Sequence, residues 1–432
     1  MLLTTLMSLA LAGPPSSLSA DVSRDWTWMK TTYEELHRTP ELSFGEVETA
    51  ARMAKELKAM GFAVTEQVGR TGVVGMLRNG RGPQLLLRAD MDGLPVLEQT
   101  GLPYASEARG QDRFGEEHPT MHACGHDVHM TSLLGTLRWL TANKRQWRGT
   151  LMVVFQPAEE LGLGARAMLD DGLYERFGVP DAALALHDSA ALEAGKVGTT
   201  AGWALSNVDS VDIIVKGVGG HGAYPHTTID PIVIGSRIVS ALQTLVSREL
   251  DPLEPAVVTV GAFHAGSKHN IISDQAHLQL TVRSTKDATR TALLDGIQRI
   301  AEFEARSAGV PEGLLPEVTI EDPYTPATWN DPALTERVTR ALERGLGDDR
   351  VVTLPLVMGG EDFSRYSRTP DNVPAVIFWV GAASTRAVKA SKAPGGAALP
   401  SLHSPFFAPD ARPTLTTAVE AMTLAALEVV GH

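Results

Sequence analysis

The chain has 432 residues and a net charge of -13, with 43% hydrophobic and 21% charged residues. This length predicts two domains, and the composition excludes a largely disordered or fibrous protein. The negative balance argues against nucleic-acid binding, which clustered Lys and Arg would favour, so the expected partners are small molecules or another copy of the chain.

The chain begins with an apolar stretch typical of an export signal. Residues 1–12 are mostly apolar, and Ala10-Leu11-Ala12 has the small-x-small form of a cleavage site; a second possible cut follows Ala20. This stretch is too short to span a bilayer, and no later stretch suggests a membrane span. We predict that residues 1–20 are a signal peptide and that the protein is periplasmic or secreted. Without such processing it would be cytoplasmic.

The next part of the chain predicts an α/β domain. Residues 44–60 have helical periodicity and end at Gly61, and residues 72–77 and 84–87 read as strands of a hairpin joined across Asn79-Gly80. The apolar runs 150–155 and 182–186 are typical of buried strands. The expected fold is a mixed, largely parallel central sheet flanked by helices, with polar residues collected at the strand ends.

From about residue 203 the pattern changes to alternating strands interleaved with two long helices. Residues 208–215, 257–263 and 276–282 predict strands, and residues 231–247 and 287–306 predict helices. This pattern indicates a small α+β module inserted into the larger domain. We therefore predict a catalytic domain formed by residues 21–202 and 318–432, and an inserted lid and dimerisation domain formed by residues 203–317.

The single cysteine of the chain lies in the segment MHACGHDVH, residues 121–129. Cys124 stands two residues before His126, and thiolate and imidazole are ligands that suit Zn²⁺ and similar ions. A buried free cysteine beside polar neighbours is the alternative interpretation. One cysteine also means that the chain forms no internal disulfide.

Further candidate ligands follow the predicted strands. Glu159 and Glu160 come after the strand 150–155, and in extended backbone their side chains would point to opposite sides, one toward a metal and one toward substrate. Two exposed acids at a helix start are the alternative. His187 and His403 could equally be ordinary histidines. Together with Cys124 and His126, however, Glu160 and these histidines would supply enough ligands for two ions.

Eight segments, taken in order, resemble those of the metallo-amidohydrolase family that comprises N-acyl-amino-acid hydrolases, hippurate hydrolases and auxin-conjugate (IAA-amino acid) hydrolases, within the two-metal carboxypeptidase and aminoacylase group. The segments are RADMDGLP (88–95), HACGHDVH (122–129), QPAEE (156–160), GHGAYPH (220–226), HNI (269–271), TVRS (281–284), MGGEDF (358–363) and LHSPFF (402–407). The resemblance spans roughly residues 26–430.

The resemblance implies a metal site and a catalytic acid-base. Its implied metal ligands are Cys124, His126, Glu160, His187 and His403. Glu159 would be the general base and acid, and Asp92 would orient a ligand. The implied cofactor is a pair of divalent ions, Zn²⁺ first, with Mn²⁺, Co²⁺ or Ni²⁺ as alternatives.

The resemblance also implies roles for residues of the inserted module. His221 would reach the site of a partner subunit in a homodimer and steady the oxyanion, while Asn270 and Arg283 would hold the carboxylate of the substrate. Gly360 would line the cleft. A structural turn explains that glycine equally well.

The implied activity is hydrolysis of the amide bond of N-acyl amino acids or related conjugates, by a water shared between the two ions. A dipeptidase or carboxypeptidase acting on free peptides is an alternative that uses the same machinery. A catalytically silent metal-binding protein of the same fold is a second alternative, which the presence of Glu159 disfavours.

Overall fold

The computed structural model of this chain describes residues 18–431. Residues 1–17 of the predicted signal peptide lie outside the described residues, and export stays a prediction. Residues 18–20, the last three of that predicted segment, begin a helix in which the apolar side chain of Leu18 is 4% exposed.

In residues 18–431 the strands form two larger sheets and three two-stranded pairs. In chain order they are β1 Ala63–Val68, β2 Gly72–Asn79, β3 Gln84–Asp90, β4 Arg109–Gln111, β5 Glu117–Pro119, β6 Gly149–Gln156, β7 Ala182–Glu193, β8 Val197–Thr199, β9 Gly202–Leu205, β10 Asp209–Lys216, β11 Gly220–His221, β12 Ala256–Ala265, β13 Ile271–Ile272, β14 Gln275–Ser284, β15 Glu317–Ile320, β16 Thr328–Asn330, β17 Val351–Thr353 and β18 Ala375–Ala383.

The helices alternate with these strands. In chain order they are α1 Leu18–Arg24, α2 Trp26–Arg38, α3 Val47–Ala59, α4 His126–Ala142, α5 Gly164–Asp170, α6 Leu173–Phe177, α7 Pro231–Thr244, α8 Asp287–Ser307, α9 Pro332–Leu346, α10 Ser364–Ser367, α11 Thr385–Ser391 and α12 Ala411–Val430.

The described chain forms two compact units, of which the first comprises residues 18–202, 330–354 and 366–431. Its sheet has eight strands in the order β1-β2-β6-β3-β7-β18-β8-β17. The central pairs β6–β3, β3–β7 and β7–β18 are parallel, whereas β1–β2, β2–β6 and β18–β8 are antiparallel. The expected mixed sheet flanked by helices is confirmed, and its buried central strands form one core with α1 to α4, α9 and α12.

The predicted hairpin of residues 72–77 with 84–87 is wrong, because β6 lies between β2 and β3. β6 pairs with β2 on one side and with β3 on the other, so its buried backbone groups are satisfied at both edges. The chain does bend at this point, where Gly80 has a φ of 80°. The carbonyl of Pro83 accepts a hydrogen bond from the amide of Thr150 (2.9 Å), which fixes the start of β6 against this turn.

The second unit comprises Trp203–Trp329 and Pro355–Arg365. It contains an antiparallel sheet in the order β12-β14-β10-β15, and helices α7 and α8 bury their apolar faces on it. The predicted return to the first domain at residue 318 falls too early. β15 pairs with β10 from Glu317 to Ile320, so residues beyond 318 complete the second sheet.

Helix α12 is the one helix of residues 18–431 that is long and apolar enough to cross a membrane. The most apolar part of it is 72% buried within the protein, as in the core helix of a globular fold. Its apolar character is therefore accounted for by packing.

Candidate metal centre

Polar side chains converge where the central parallel strands end. Asp90 is the last residue of β3, and Gln156 is the last residue of β6. The third strand, β7, continues past its last pair with β3, which is Ala185 with Arg88. His187 therefore lies on β7 just beyond its pairing with β3, opposite Trp379 of β18 on the other side.

The structure brings together the five side chains expected to bind metal. The Sγ atom of Cys124 lies 3.2 Å from Nε2 of His403 and 3.6 Å from Nε2 of His187. The carboxylate of Glu160 lies 3.5 Å from Nε2 of His403 and 3.8 Å from Nε2 of His126. These residues form two triplets, Cys124–His126–His187 and Cys124–Glu160–His403, within each of which the candidate ligand atoms lie within 4.8 Å of one another. Cys124 is common to both.

These residues fit divalent cations by chemistry and by what the protein leaves unsatisfied. Both ring nitrogens of His126 and Oε1 of Glu160 are buried without a hydrogen-bond partner in the described chain. Buried polar atoms are normally hydrogen-bonded, so such atoms indicate a missing partner. Thiolate, imidazole and carboxylate are the ligand types that Zn²⁺ and related ions prefer.

The pKa values of the cluster reflect the same deficit of positive charge. Burial and the neighbouring carboxylate of Glu160 hold the pKa of Cys124 well above its usual range. Burial also raises the pKa of Glu160 to about 7. Burial would lower the pKa of His126, but the carboxylates of Asp90 and Asp92 outweigh that effect and raise it. Without a cation, therefore, the protonated forms of Cys124, Glu160 and His126 are favoured, whereas burial lowers the pKa of His403.

The local backbone between Cys124 and His126 requires glycine. Gly125 has a φ of 77°, and a Cβ atom there would lie 2.5 Å from the carboxylate of Asp188. Only glycine adopts this conformation at no cost and also leaves room for the carboxylate. The turn at Gly125 lets Cys124 precede helix α4 while His126 begins it.

Asp92 contacts the candidate ligand His126 and the backbone of Glu159 and Glu160. Its Oδ1 lies 3.3 Å from Nδ1 of His126, close enough for strong attraction although the ring nitrogen has no aligned hydrogen bond. Its carboxylate also accepts the amides of Glu159 (3.1 Å) and Glu160 (3.0 Å) and the hydroxyl of Ser43 (2.7 Å). Asp92 thus touches the groups that its predicted orienting role requires.

Glu159 lies beside the cluster on the short 3-10 turn Glu159–Leu161 that follows β6. Its Oε2 lies 3.9 Å from Nε2 of His126. The turn begins after Ala158, which has a left-handed φ of 47°. For a residue other than glycine this conformation costs about 1–2 kcal/mol, so the surrounding structure must hold it.

A second layer of buried residues was not predicted from the sequence. His129 lies 2.6 Å from Oδ1 of Asp90 and 3.2 Å from Oδ1 of Asp188, and Nδ1 of His187 donates to the carbonyl of Asp188 (2.7 Å). His129 stands three residues after His126 on α4, a spacing that places both on one helix face. That spacing was a usable signal, whereas nothing in the local sequence marks Asp188 as buried.

A buried ion-pair group supports the start of α4 from the other side. Nδ1 of His37 donates to Asp127 (2.6 Å), and Nε2 of His37 donates to Glu98 (3.2 Å). Burial alone would lower the pKa of His37, but these two carboxylates outweigh it and raise that pKa from 6.5 to about 10. Asp127 directly follows His126, so this ion pair stabilises the turn that carries a candidate ligand.

The other predicted site residues lie in the second unit and form two pairs there. β11 pairs with β13, which places His221 opposite Ile271, and the amide of Gly222 donates to the carbonyl of Asn270 (2.9 Å). Arg283, on β14, donates to the carbonyl of Met358 (2.9 Å), two residues before Gly360. Burial lowers the pKa of Arg283.

The chain matches the family model of peptidase family M20/M25/M40 over residues 86–394. It is 36% identical to the N-acetylcysteine deacetylase of Bacillus subtilis (strain 168), covering 81% of this chain and 87% of that protein. It is also 36% identical to thermostable carboxypeptidase 1 of Saccharolobus solfataricus, covering 84% and 88%. Among solved structures it resembles the B. subtilis YXEP protein, a dinuclear metal binding peptidase of the M20 family, with a TM-score of 0.74, 31% identity and coverage of 94% and 98%.

We expect the buried histidine of the ion-pair group to make stability depend on pH. The pKa of His37 is about 10 in the folded chain and 6.5 for an unperturbed histidine, so its contribution is complete below pH 6.5 and is lost as pH rises through 10. In metal-free protein, His37→Gln should lower the free energy of unfolding by about 3–5 kcal/mol at pH 6, because it leaves two carboxylates without their cation.

Urea unfolding of wild type and His37→Gln between pH 6 and 10 measures this effect, and the difference between them should shrink steadily over that range. His118→Gln, at a partly exposed histidine, is the matched control and should stay within about 0.5 kcal/mol of wild type. A difference that is constant with pH would contradict the assignment of a charged His37.

Proposed function

The chain belongs to peptidase family M20/M25/M40 and is a metal-dependent hydrolase of amide bonds; we propose that it cleaves N-acyl amino acids with Glu159 as general base and acid. The observation that carries this proposal is the convergence of Cys124, His126, Glu160, His187 and His403 beside Glu159. Related N-acetylcysteine deacetylase supports the acyl amino acid as substrate class.

We assign the metal ligands by charge and position. The two triplets that share Cys124 would each hold one ion, and the mixture of sulfur, nitrogen and oxygen donors favours Zn²⁺, with Mn²⁺, Co²⁺ or Ni²⁺ as alternatives. When bound, the ions would polarise the scissile carbonyl and lower the pKa of the attacking water.

The residues of the chain move the protons of the reaction. The Glu159 carboxylate takes a proton from water as the water oxygen attacks the amide carbon. It then delivers that proton to the leaving nitrogen as the C–N bond breaks. Asp92 holds the amides of Glu159 and Glu160, which keeps the acid-base group in place through both steps. The products are a carboxylic acid and a free amino acid.

The proposed substrate carboxylate is held by residues of the second unit. Arg283 is half-buried, and the hydrogen bond of its side chain goes to a backbone carbonyl, with no ion pair to a carboxylate among residues 18–431. A guanidinium group binds a carboxylate through two parallel hydrogen bonds. We assign the binding of the substrate carboxylate to Arg283 with Asn270, and we propose that Gly360 lines the cleft.

Cleavage of free peptides is a second candidate function, favoured by the 36% identity to thermostable carboxypeptidase 1. A peptide with a free C-terminus offers Arg283 the same carboxylate, so the two substrate classes differ in the acyl group on the carbonyl side of the scissile bond. A panel that pairs N-acetyl and N-benzoyl amino acids with dipeptides of the same C-terminal residue separates them.

We expect purified protein to release the amino acid from N-acetyl or N-benzoyl substrates, to lose this activity with a chelator and to regain it with one of the four divalent ions. Glu159→Gln should lower kcat by about 10²–10⁴-fold while metal content stays unchanged, because only proton transfer is lost.

Glu175→Gln, on the surface of α6, is the matched control and should keep the wild-type rate. Full activity in metal-loaded Glu159→Gln would show that another group moves the proton.

Replacing the proposed carboxylate anchor should affect substrate binding first. Arg283→Met should raise KM by about 10–100-fold for acyl amino acids, since a hydrogen-bonded charge contributes about 1.5–3 kcal/mol. The same variant should lose little on a substrate whose carboxylate is converted to an amide. Arg248→Met serves as control, at an exposed arginine of the same unit. An equal loss on both substrates would rule out the carboxylate contact.

We propose that the protein is a homodimer joined through its second unit. Strand β12 is the edge of that sheet, and the adjacent helix α7 exposes the apolar side chains of Ile232 and Val233. An open strand edge beside exposed apolar side chains favours association with another chain. His221 is exposed in its own chain and would act in the site of the partner.

Mixing two inactive variants tests this assignment. Glu159→Gln and His221→Ala should each be inactive alone, whereas an equimolar mixture allowed to exchange subunits should regain about a quarter of wild-type activity, since half the dimers then contain one complete site. In the control mixture, His226→Ala takes the place of His221→Ala as the partner of Glu159→Gln. No recovery in a mixture that forms mixed dimers would place His221 in the site of its own chain.

A further inference from the structure

Glu46 is a fully buried carboxylate that joins three separate segments of the first unit. Its Oε1 accepts the amides of Phe44 (2.9 Å) and Ala158 (2.8 Å), and its Oε2 accepts the hydroxyl of Thr71 (2.6 Å). Glu46 directly precedes helix α3 but its side chain makes no capping hydrogen bond there. The carboxylate is therefore directed at the turn after β6 and not at its own helix.

Two of these three contacts go to residues in an unfavourable backbone conformation. Phe44 has a φ of 63° and Ala158 a φ of 47°, and neither is glycine. Residues in this left-handed region persist only where the surrounding structure holds them. One oxygen of Glu46 receives both amides, so it supplies a specific interaction that holds both conformations.

Glu46 and Asp92 together take up three consecutive amides. Glu46 accepts the amide of Ala158, and Asp92 accepts those of Glu159 and Glu160. The left-handed residue turns these amides toward the two buried carboxylates, as in other backbone concavities that bind anions. The left-handed backbone of Ala158 sets the orientation of the peptide that leads into Glu159. The direction of the Glu159 side chain therefore depends on this turn.

We infer that Glu46 is a positioning residue for the reaction: by holding Ala158 in its left-handed conformation, it aims the Glu159 carboxylate at the reacting atoms. This inference rests on the proposed function for the role of Glu159. The carboxylate of Glu46 bonds to Phe44, Thr71 and Ala158 and to none of the candidate metal ligands, so its effect passes through the backbone.

The required property of Glu46 is an acceptor oxygen, not its charge. A glutamine in the same place can present its oxygen to the two amides and its NH₂ group to the hydroxyl of Thr71, which can accept as well as donate. Methionine has a similar shape and offers no comparable acceptor. Glycine at position 158 adopts the left-handed conformation without strain and so needs less support.

The experiment compares Glu46→Met, Glu46→Gln, Ala158→Gly and the double variant Glu46→Met/Ala158→Gly. Glu46→Met should lower kcat about 10–100-fold, as expected when a catalytic group is misplaced by about 1 Å, with KM changed less than about 3-fold. Glu46→Gln and Ala158→Gly should stay within about 3-fold of wild type. The double variant should recover about 5-fold or more over Glu46→Met, since glycine restores the turn.

Hydrogen exchange of metal-free protein gives a readout that does not depend on activity. In Glu46→Met, the peptide covering residues 156–163 should exchange at least about 5-fold faster while α12 keeps its protection, because only the local turn has lost its acceptor. Glu41→Gln is the matched control: Glu41 accepts the amides of Thr49 and Glu48 at the start of α3 and should leave residues 156–163 unchanged.

The outcomes separate this inference from the proposed function. Wild-type kcat in Glu46→Met, or a global rise in exchange with no recovery in the double variant, would overturn the positioning role. If wild type cleaves no acyl amino acid or peptide, or Glu159→Gln stays fully active, the proposed function fails, and the exchange of residues 156–163 still shows whether Glu46 holds the turn.

Discussion

The carboxylate of Asp92 is the group through which the candidate metal centre is assembled. It follows the end of β3, accepts the amides of the turn after β6, accepts the hydroxyl of Ser43 and lies 3.3 Å from the ring of His126. Each of these partners is on a different segment of the chain. Hydrogen bonds to a buried anion are strong and directional, so one side chain links the segments after β3 and β6, beyond the last pair of their ladder, to Ser43.

Around Asp92 the protein balances a high density of buried charge with three groups of ion pairs. Arg88 contacts Asp90 at 2.6 Å, His129 lies between Asp90 and Asp188, and His37 lies between Asp127 and Glu98. Such pairs offset the large cost of removing charges from water. Among the described residues of this region, the candidate ligands His126 and Glu160 keep buried atoms without a hydrogen-bond partner, as do His122 and one oxygen of Asp188.

The sequence predicted the architecture where the signal was a long pattern and failed where it was a local one. Continuous apolar runs identified β6 and β7 as buried strands, and the ordered motifs identified the five side chains that the fold brings together. The Asn79-Gly80 turn is a strong hairpin signal, yet β6 enters between the two strands, because tertiary pairing of a distant segment outweighs a turn preference. Glu46 and Asp188 were missed because nothing adjacent in the chain distinguishes a buried carboxylate from an exposed one.

The second unit is made of two stretches, Trp203–Trp329 and Pro355–Arg365, separated by a return of the chain to the first. The acceptor of Arg283, the carbonyl of Met358, belongs to the later stretch. Recombination between relatives that exchanged only the longer stretch would therefore pair an arginine from one parent with a backbone support from the other. The support of Arg283 is therefore kept only where the two stretches fit each other, so for this contact the unit behaves as a pair of segments and not as a single cassette.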